Sequence, residues 1–222
     1  MIYVTGDIHA DQARFKSKAM KPLKKGDTLI VCGDFGFIWD GSKNEQKVLK
    51  WLEKRPYQIL FVEGTHDNLD MLAEYPQGSF SGGSARRISS NIFQLLRGEI
   101  YHIEDVDIFT FGGGESPDMD DRIEGISWWR NELPSKEEIA YARQNLESHG
   151  NKVDYIITHS PSSVVNSFLD MDHMRTDQLG AFLDGVSREV QYKQWYFGRY
   201  HFDKVIPPLH HAVYLDVLPL KV

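Results

Sequence analysis

Asp7 and His9 stand two residues apart just after a short apolar run, and that placement recurs down the chain. Asp34 follows a second such run, His66 and Asp67 a third, His159 a fourth and His201 a fifth. Carboxylates mixed with imidazoles make a donor set that suits Mn, Fe or Zn, whereas Ca and Mg favour shells of oxygen alone. A bound divalent ion lowers the pKa of its water, and a nearby histidine can give a proton to a departing alkoxide. Together these are the parts of a phosphoester hydrolase. A G-x-S-x-G elbow and a Walker-type loop are both missing, so a serine hydrolase and a P-loop enzyme gain no support.

The elements that must position these residues are legible in outline. Ile2 to Thr5, Thr28 to Cys32, Ile59 to Val62 and Tyr155 to Thr158 are near-continuous apolar runs, the pattern of strands covered on both faces. Helices are expected over Gln12 to Met20, Gln46 to Glu53, Leu69 to Tyr75 and within Thr176 to Gln191. Another begins at Lys136, with Ser135 and Glu138 as a capping box, and runs to about His149. Short strands with tight connections are expected at Ile92 to Leu96, Ile100 to Ile103 and Ile108 to Phe111. Gln194 to Phe197, Val205 to Ile206 and Ala212 to Val217 are read as closing strands. Such a succession suggests two mixed sheets packed face to face with helices outside. In open α/β sheets, ligands bind beyond the carboxyl ends of the strands, which is where the polar residues lie.

Gly6-Asp7-Ile8-His9, Gly33-Asp34, Gly64-Thr65-His66-Asp67, Thr158-His159 and Gly198-Arg199-Tyr200-His201 occur in that order. This series resembles the calcineurin-like metallophosphoesterase family, whose pattern is D-x-H, G-D, G-N-H-D/E, H and G-H-x-H. The resemblance spans Asp7 to His201. It implies an α/β fold, a four-layer α/β/β/α sandwich of two mixed sheets flanked by helices, and a centre for one or two divalent ions, Mn2+ first, with Fe or Zn as alternatives. By the resemblance, Asp7, His9, Asp34 and His201 hold the first ion, and Asp34 and His159 contribute to the second. His66 is the leaving-group acid, with Asp67 orienting it. The activity implied is hydrolysis of a phosphate mono- or diester through a metal-bound hydroxide.

Two positions depart from the family pattern, and both belong to the second ion. Thr65 replaces an asparagine and Arg199 a histidine. A neutral hydroxyl is a poor ligand, and a guanidinium has no lone pair to offer and keeps its charge. Arg199 is therefore expected to stand in for the second ion and bind a phosphate oxygen. The alternative is a catalytically impaired pseudoenzyme that binds a phosphorylated ligand or a protein partner. Ala10 is a smaller departure, standing where glycine is common.

Further expectations concern the remainder. The chain of 222 residues is read as one domain over 1–222, with an irregular insert at about 112–134. Gly112 to Gly114 reads as a turn or a phosphate nest. Trp128 and Trp129 read as core or pocket wall, and Glu115, Asp118, Asp120 and Asp121 as a solvated acidic loop. Arg86-Arg87 reads as an exposed face. Phe35, Phe37 and Trp39 are expected at the cleft mouth. The stretch after Asp34 lacks the D-R-G of the family's protein phosphatases, which weakens a phosphoprotein substrate. His102, His149, His173, His210 and His211 are read as structural or surface residues. A net charge of -7 argues against a broad nucleic-acid surface. No apolar run is long enough for a membrane span, and the start does not read as a secretory signal. A lone Cys32 fits a reducing cytoplasm. The phosphoester substrate and the oligomeric state are not specified by these residues.

Overall fold

Along the second strand, Leu29 and Val31 pack with one set of apolar residues and Ile30 and Cys32 with another. Side chains of a strand alternate between faces, so each strand here feeds two cores. A computed structural model describes residues 1–116, 118–170 and 177–220; His173 and Thr176 lie outside the described residues. Its strands are β1 (Ile2–Thr5), β2 (Thr28–Cys32), β3 (Gln58–Val62), β4 (Gln77–Phe80), β5 (Gly83–Arg87), β6 (Ile92–Leu95), β7 (Ile100–Ile103), β8 (Val106–Phe111), β9 (Tyr155–Thr158), β10 (Gln194–Phe197), β11 (Lys204–Ile206), β12 (His210–Ala212) and β13 (Leu218–Pro219). The α-helices are α1 (Lys43–Leu52), α2 (Leu69–Ala73), α3 (Lys136–Ser148), α4 (Ser163–Leu169) and α5 (Gln178–Glu189).

Two mixed sheets result. One has the order β13-β1-β2-β3-β6-β5-β4 and the other β11-β12-β10-β9-β8-β7. Their facing sides meet through Val4, Ile30, Leu60, Tyr101, Ile108 and Ile157. The outer face of the first sheet carries α1 and α2 through Leu52 and Leu72. The outer face of the second carries α3 and α5 through Leu146, Phe182 and Val186. Each such side chain, taken fully from water, contributes about 1.5–3 kcal/mol. The layering is helix, sheet, sheet, helix. The inner strands β1, β2 and β3 run parallel to one another, as do β8, β9, β10 and β12. No described helix is long and apolar enough to cross a membrane.

The structure corrects several boundaries. Gln12 to Met20 is not an α-helix but holds only a 3-10 turn at Arg14–Lys16. Only Phe15 and Met20 bury apolar surface there, and the Arg14 side chain is drawn away to Thr5 Oγ1 and the carbonyls of Gly6 and Asp7. β6 and β7 are not a hairpin. β6 joins the first sheet beside β3 and β5, and β7 pairs with β8 in the second. The β4–β5 hairpin escapes sequence reading because Gln77-Gly78-Ser79 and Gly83-Ser84-Ala85 lack β-branched residues. Ala212 to Val217 is not one strand. The carboxylate of Asp203 accepts the N–H groups of Tyr214, Leu215 and Asp216 at 2.8, 3.0 and 3.2 Å, which turns the chain between β12 and β13. The capping box forms as expected, Ser135 Oγ accepting from Glu138 N and Glu138 Oε2 from Ser135 N.

A buried ion pair fastens the insert to the first sheet. Arg97 Nε lies 2.6 Å from Glu63 Oε1, and Arg97 Nη2 donates to the carbonyls of Asn131 and Glu132 at 2.9 and 2.8 Å. Removing the guanidinium strands a buried carboxylate. Arg97→Ala should therefore lower unfolding stability by about 3–5 kcal/mol in a urea titration. A loss under about 1 kcal/mol would show that the pair does not tie the insert down.

Candidate metal centre

The backbone bends sharply where the strands end. Asp7, His9, Ala10, Asp34, Arg199 and His201 all have positive φ, between 46 and 76°. Non-glycine residues seldom adopt this region, and such strain gathers at functional sites. Two glycines permit the crowding. A Cβ on Gly33, whose φ is +91°, would lie 2.1 Å from His159 Nδ1, and one on Gly64 would lie 2.0 Å from Asp34 Oδ1.

The loops after β1, β2 and β10 bring four donors together. One ligand atom from each of Asp7, His9, Asp34 and His201 lies within 4.8 Å of the others. His9 Nε2 and His201 Nε2 are 2.8 Å apart, His9 Nε2 is 3.5 Å from Asp34 Oδ2, and His201 Nε2 is 3.9 Å from Asp7 Oδ1. Asp7 and Asp34 are buried, while His201 is open to solvent. His159, at the end of β9, is fully buried. Its Nδ1 donates to Cys32 O at 3.1 Å, which leaves the Nε2 lone pair 3.8 Å from Asp34 Oδ1. A carbonyl bond of this kind is how metal-binding histidines are commonly held. Asp7 Oδ2 and His159 Nε2 are buried without a hydrogen-bond partner among the described residues. Such orphans are costly unless something else occupies them. A divalent ion fits this donor set by chemistry and by these free atoms.

The electrostatics agree with that fit. Burial and the neighbouring Asp34 push the Asp7 carboxyl well above its ordinary range. Burial also works against ionised Asp34, but His159, His66 and His9 outweigh it and hold Asp34 below the usual carboxylate range. Burial brings His9 down to about 4, and burial likewise lowers His159. His9 and His159 are thus kept neutral, the form in which an imidazole can coordinate a cation.

His66 sits at the edge of this group, held by Asp34. Its N–H donates to Asp34 Oδ1 at 2.7 Å, and its Nδ1 lies 3.2 Å from Asp34 Oδ2. Asp67 does not orient His66 directly, contrary to the sequence reading. Its carboxylate accepts the N–H groups of Gly36 at 2.7 Å, Gly64 at 2.8 Å and Phe35 at 3.3 Å. It thereby ties the loops after β2 and β3 together, and burial with Asp34 nearby raises its pKa to about 7.

Arg199 does not turn outward. Its N–H donates to Asp7 Oδ1 at 2.9 Å, Nη1 to Ser160 Oγ at 3.2 Å and Nη2 to Glu115 O at 2.7 Å. A Cβ on Gly114 would lie 2.5 Å from Arg199 Nη1 and 3.4 Å from Thr65 Cγ2, so the two altered positions share one corner. Arg122 was not foreseen. Its Nη2 meets His66 Nε2, Nη1 donates to Thr65 O at 3.3 Å and Ser127 O at 3.1 Å, and Asp118 Oδ2 pairs with Nη2 at 2.8 Å. An arginine inside an acidic loop carries no motif, so only the folded insert reveals it. The Gly113 and Gly114 N–H groups donate to Glu63 O and Glu132 O, which removes the phosphate-nest reading for them. Trp129 is buried and donates Nε1 to Asp70. His102 and His149 both flank Asp107 at the surface, and His210 packs on Trp195.

A search of curated proteins finds no match. Among solved structures, the chain is similar to a phosphopantetheinyl hydrolase from Mycobacterium tuberculosis, with 15% identity and a TM-score of 0.49, covering 96% of this chain and 89% of that one. The family model of the calcineurin-like phosphoesterases matches residues 1–214. With nearly the whole sequence matched and an aspartate–histidine cluster able to hold a metal, the chain belongs to the calcineurin-like phosphoesterases, hydrolases that act on phosphoester bonds.

Proposed function

We propose that the chain hydrolyses a phosphate mono- or diester at a centre in which Asp7, His9, Asp34 and His201 hold one divalent ion and Arg199 takes the place of a second. The observation that carries this reading is the convergence of His9 Nε2 and His201 Nε2, 2.8 Å apart, beside two buried carboxylates, one with an unpartnered oxygen. Manganese is the first choice of ion, with iron or zinc as alternatives. Such an ion supplies a nucleophile at neutral pH and offsets the charge that develops on the phosphate.

The chain's own residues supply the rest. Arg199 offers its fork to phosphate oxygens, from a corner that a neutral histidine would otherwise fill. His66, its ring fixed by Asp34 at Nδ1, delivers a proton from Nε2 to the leaving oxygen once the leaving oxygen takes the place of the Arg122 guanidinium that meets Nε2 here. Asp67 acts one step back, by holding the two loops that carry Asp34 and His66. His159, locked by Cys32 O, faces the same corner and serves as a ligand or a phosphate contact. On this reading residues 1–222 act as one domain, with 112–134 as a cleft-side insert. Buried Cys32 accords with a reducing cytoplasm. A second reading, a silent binder of a phosphorylated ligand or protein partner, draws on Ile123 and Ile126. They stand 63% and 64% exposed on the insert, one and four residues beyond Arg122.

Titration calorimetry with Mn2+ and assays on p-nitrophenyl phosphate and its bis ester separate the two readings. The proposal expects about one ion per chain and turnover of at least one ester; less than one ion with no hydrolysis would leave only the binder. Asp34→Asn should weaken Mn2+ binding by more than the roughly 10–100-fold typical of an outer partner. His66→Gln should cut kcat by roughly 10²–10⁴-fold while the ion still binds. Thr65→Asn combined with Arg199→His should move the stoichiometry toward two ions, and an unchanged ratio would refute the role given to that corner.

A further inference from the structure

A cleft of about 390 Å³ opens beside His9 and His66, and the chemistry above leaves it unassigned. Its walls are Phe37, Trp39 and Val48, from the loop after β2 and from α1, and Asp40 and Glu45 lie among its lining residues. The volume falls in the range of small-molecule sites, about 300–1,000 Å³, which are apolar with a few placed polar groups.

This wall is built in advance. Glu45 Oε2 accepts the N–H groups of Trp39 at 2.7 Å and Asp40 at 2.8 Å, and Asn68 Nδ2 donates to Trp39 O at 2.7 Å. The Trp39 ring stands edge-on to buried Trp129, 5.5 Å between centroids, and Trp129 is itself anchored by Asp70. Phe37 packs edge-on to Phe35 and Phe15, which belong to the core beneath. A ring entering the cleft would meet aromatic and aliphatic surface without having to order it.

Charge narrows the choice further. The two carboxylates of this cleft repel an anionic guest, whereas the guanidinium of Arg199 stands at the other side of the site, toward Ser160 and Glu115. The phosphate and the remainder of the substrate are thereby sorted into opposite ends of the site. We infer that the Phe37–Trp39–Val48 cleft is the leaving-group pocket, and that it selects phosphoesters whose alcohol carries a flat, uncharged aryl or heterocyclic ring over those whose alcohol is anionic. This rests on the phosphoesterase reading, with His66 next to the leaving oxygen.

The test compares 2-naphthylmethyl phosphate with 3-phosphoglycerate, both esters of primary alcohols, using the full chain with Mn2+. The ratio of kcat/KM should favour the naphthyl ester by tenfold or more. Trp39→Ala should reduce that ratio about tenfold, chiefly through KM, a size typical of one lost pocket contact. Val48→Lys places a cation in the cleft and should move the ratio toward 3-phosphoglycerate, and it serves where Trp39→Ala does not fold. A ratio near one in the wild type, or one unmoved by both variants, overturns the inference. If no ester is hydrolysed, the parent reading fails by itself. Equilibrium dialysis of 2-naphthylmethylphosphonate then decides the pocket: binding weakened in Val48→Lys supports it, and binding equal in both proteins overturns it.

Discussion

Two buried carboxylates, Asp7 and Asp34, stand among the four imidazoles of His9, His66, His159 and His201. At 4.8 Å or less and an effective dielectric of about 20, a pair of full carboxylate charges repels by at least roughly 3.5 kcal/mol. The chain answers by splitting the pair, Asp7 raised and Asp34 lowered, and by suppressing the charge of His9 and His159. That is a costly arrangement for a fold to keep without a guest, and a divalent cation relieves each part of it at once. The strained backbone at the strand ends, the glycines beneath and the buried orphan atoms all follow from holding this group together.

Rigidity is what the two sheets supply. Parallel β1, β2 and β3 end on one side, and β9 and β10 end opposite them, so five loops meet at the seam between the layers. Loops alone would not hold ligand atoms within a few tenths of an ångström. Here they are tied to each other: Asp67 links the β2 and β3 loops, and Arg199 N–H links the β10 loop to Asp7. The spacing of a motif is thus only half of the device. The other half is a set of backbone hydrogen bonds between segments far apart in the chain.

The insert turns a shared chemistry into a particular site. Arg97 and Glu63 anchor its far end, Ser160 and Glu115 receive Arg199, and Arg122 comes down on His66. Two guanidinium groups, those of Arg122 and Arg199, stand near this centre beside His66 and Thr65. A guanidinium can bind phosphate oxygens as a metal ion does, but it does not activate water.

Much of this could be read from residues alone. Runs such as Thr28 to Cys32 specify buried strands because only a strand covered on both faces is apolar at every position, and the polar residue after each run marks the ligand side of the sheet. Set against the family pattern, Thr65 and Arg199 point by chemical type alone to a changed second ion site, since a hydroxyl is a poor ligand and a guanidinium offers no lone pair. Tertiary structure decided what depends on distant segments meeting. It moved β6 out of a local hairpin and into the first sheet, unmade the helix at Gln12 to Met20, assigned Asp67 to backbone amides and delivered Arg122 to His66. Local pattern governs propensity and chemical type; the partner a side chain meets is set by packing between segments 31 to 56 residues apart in these cases, which no local spacing encodes.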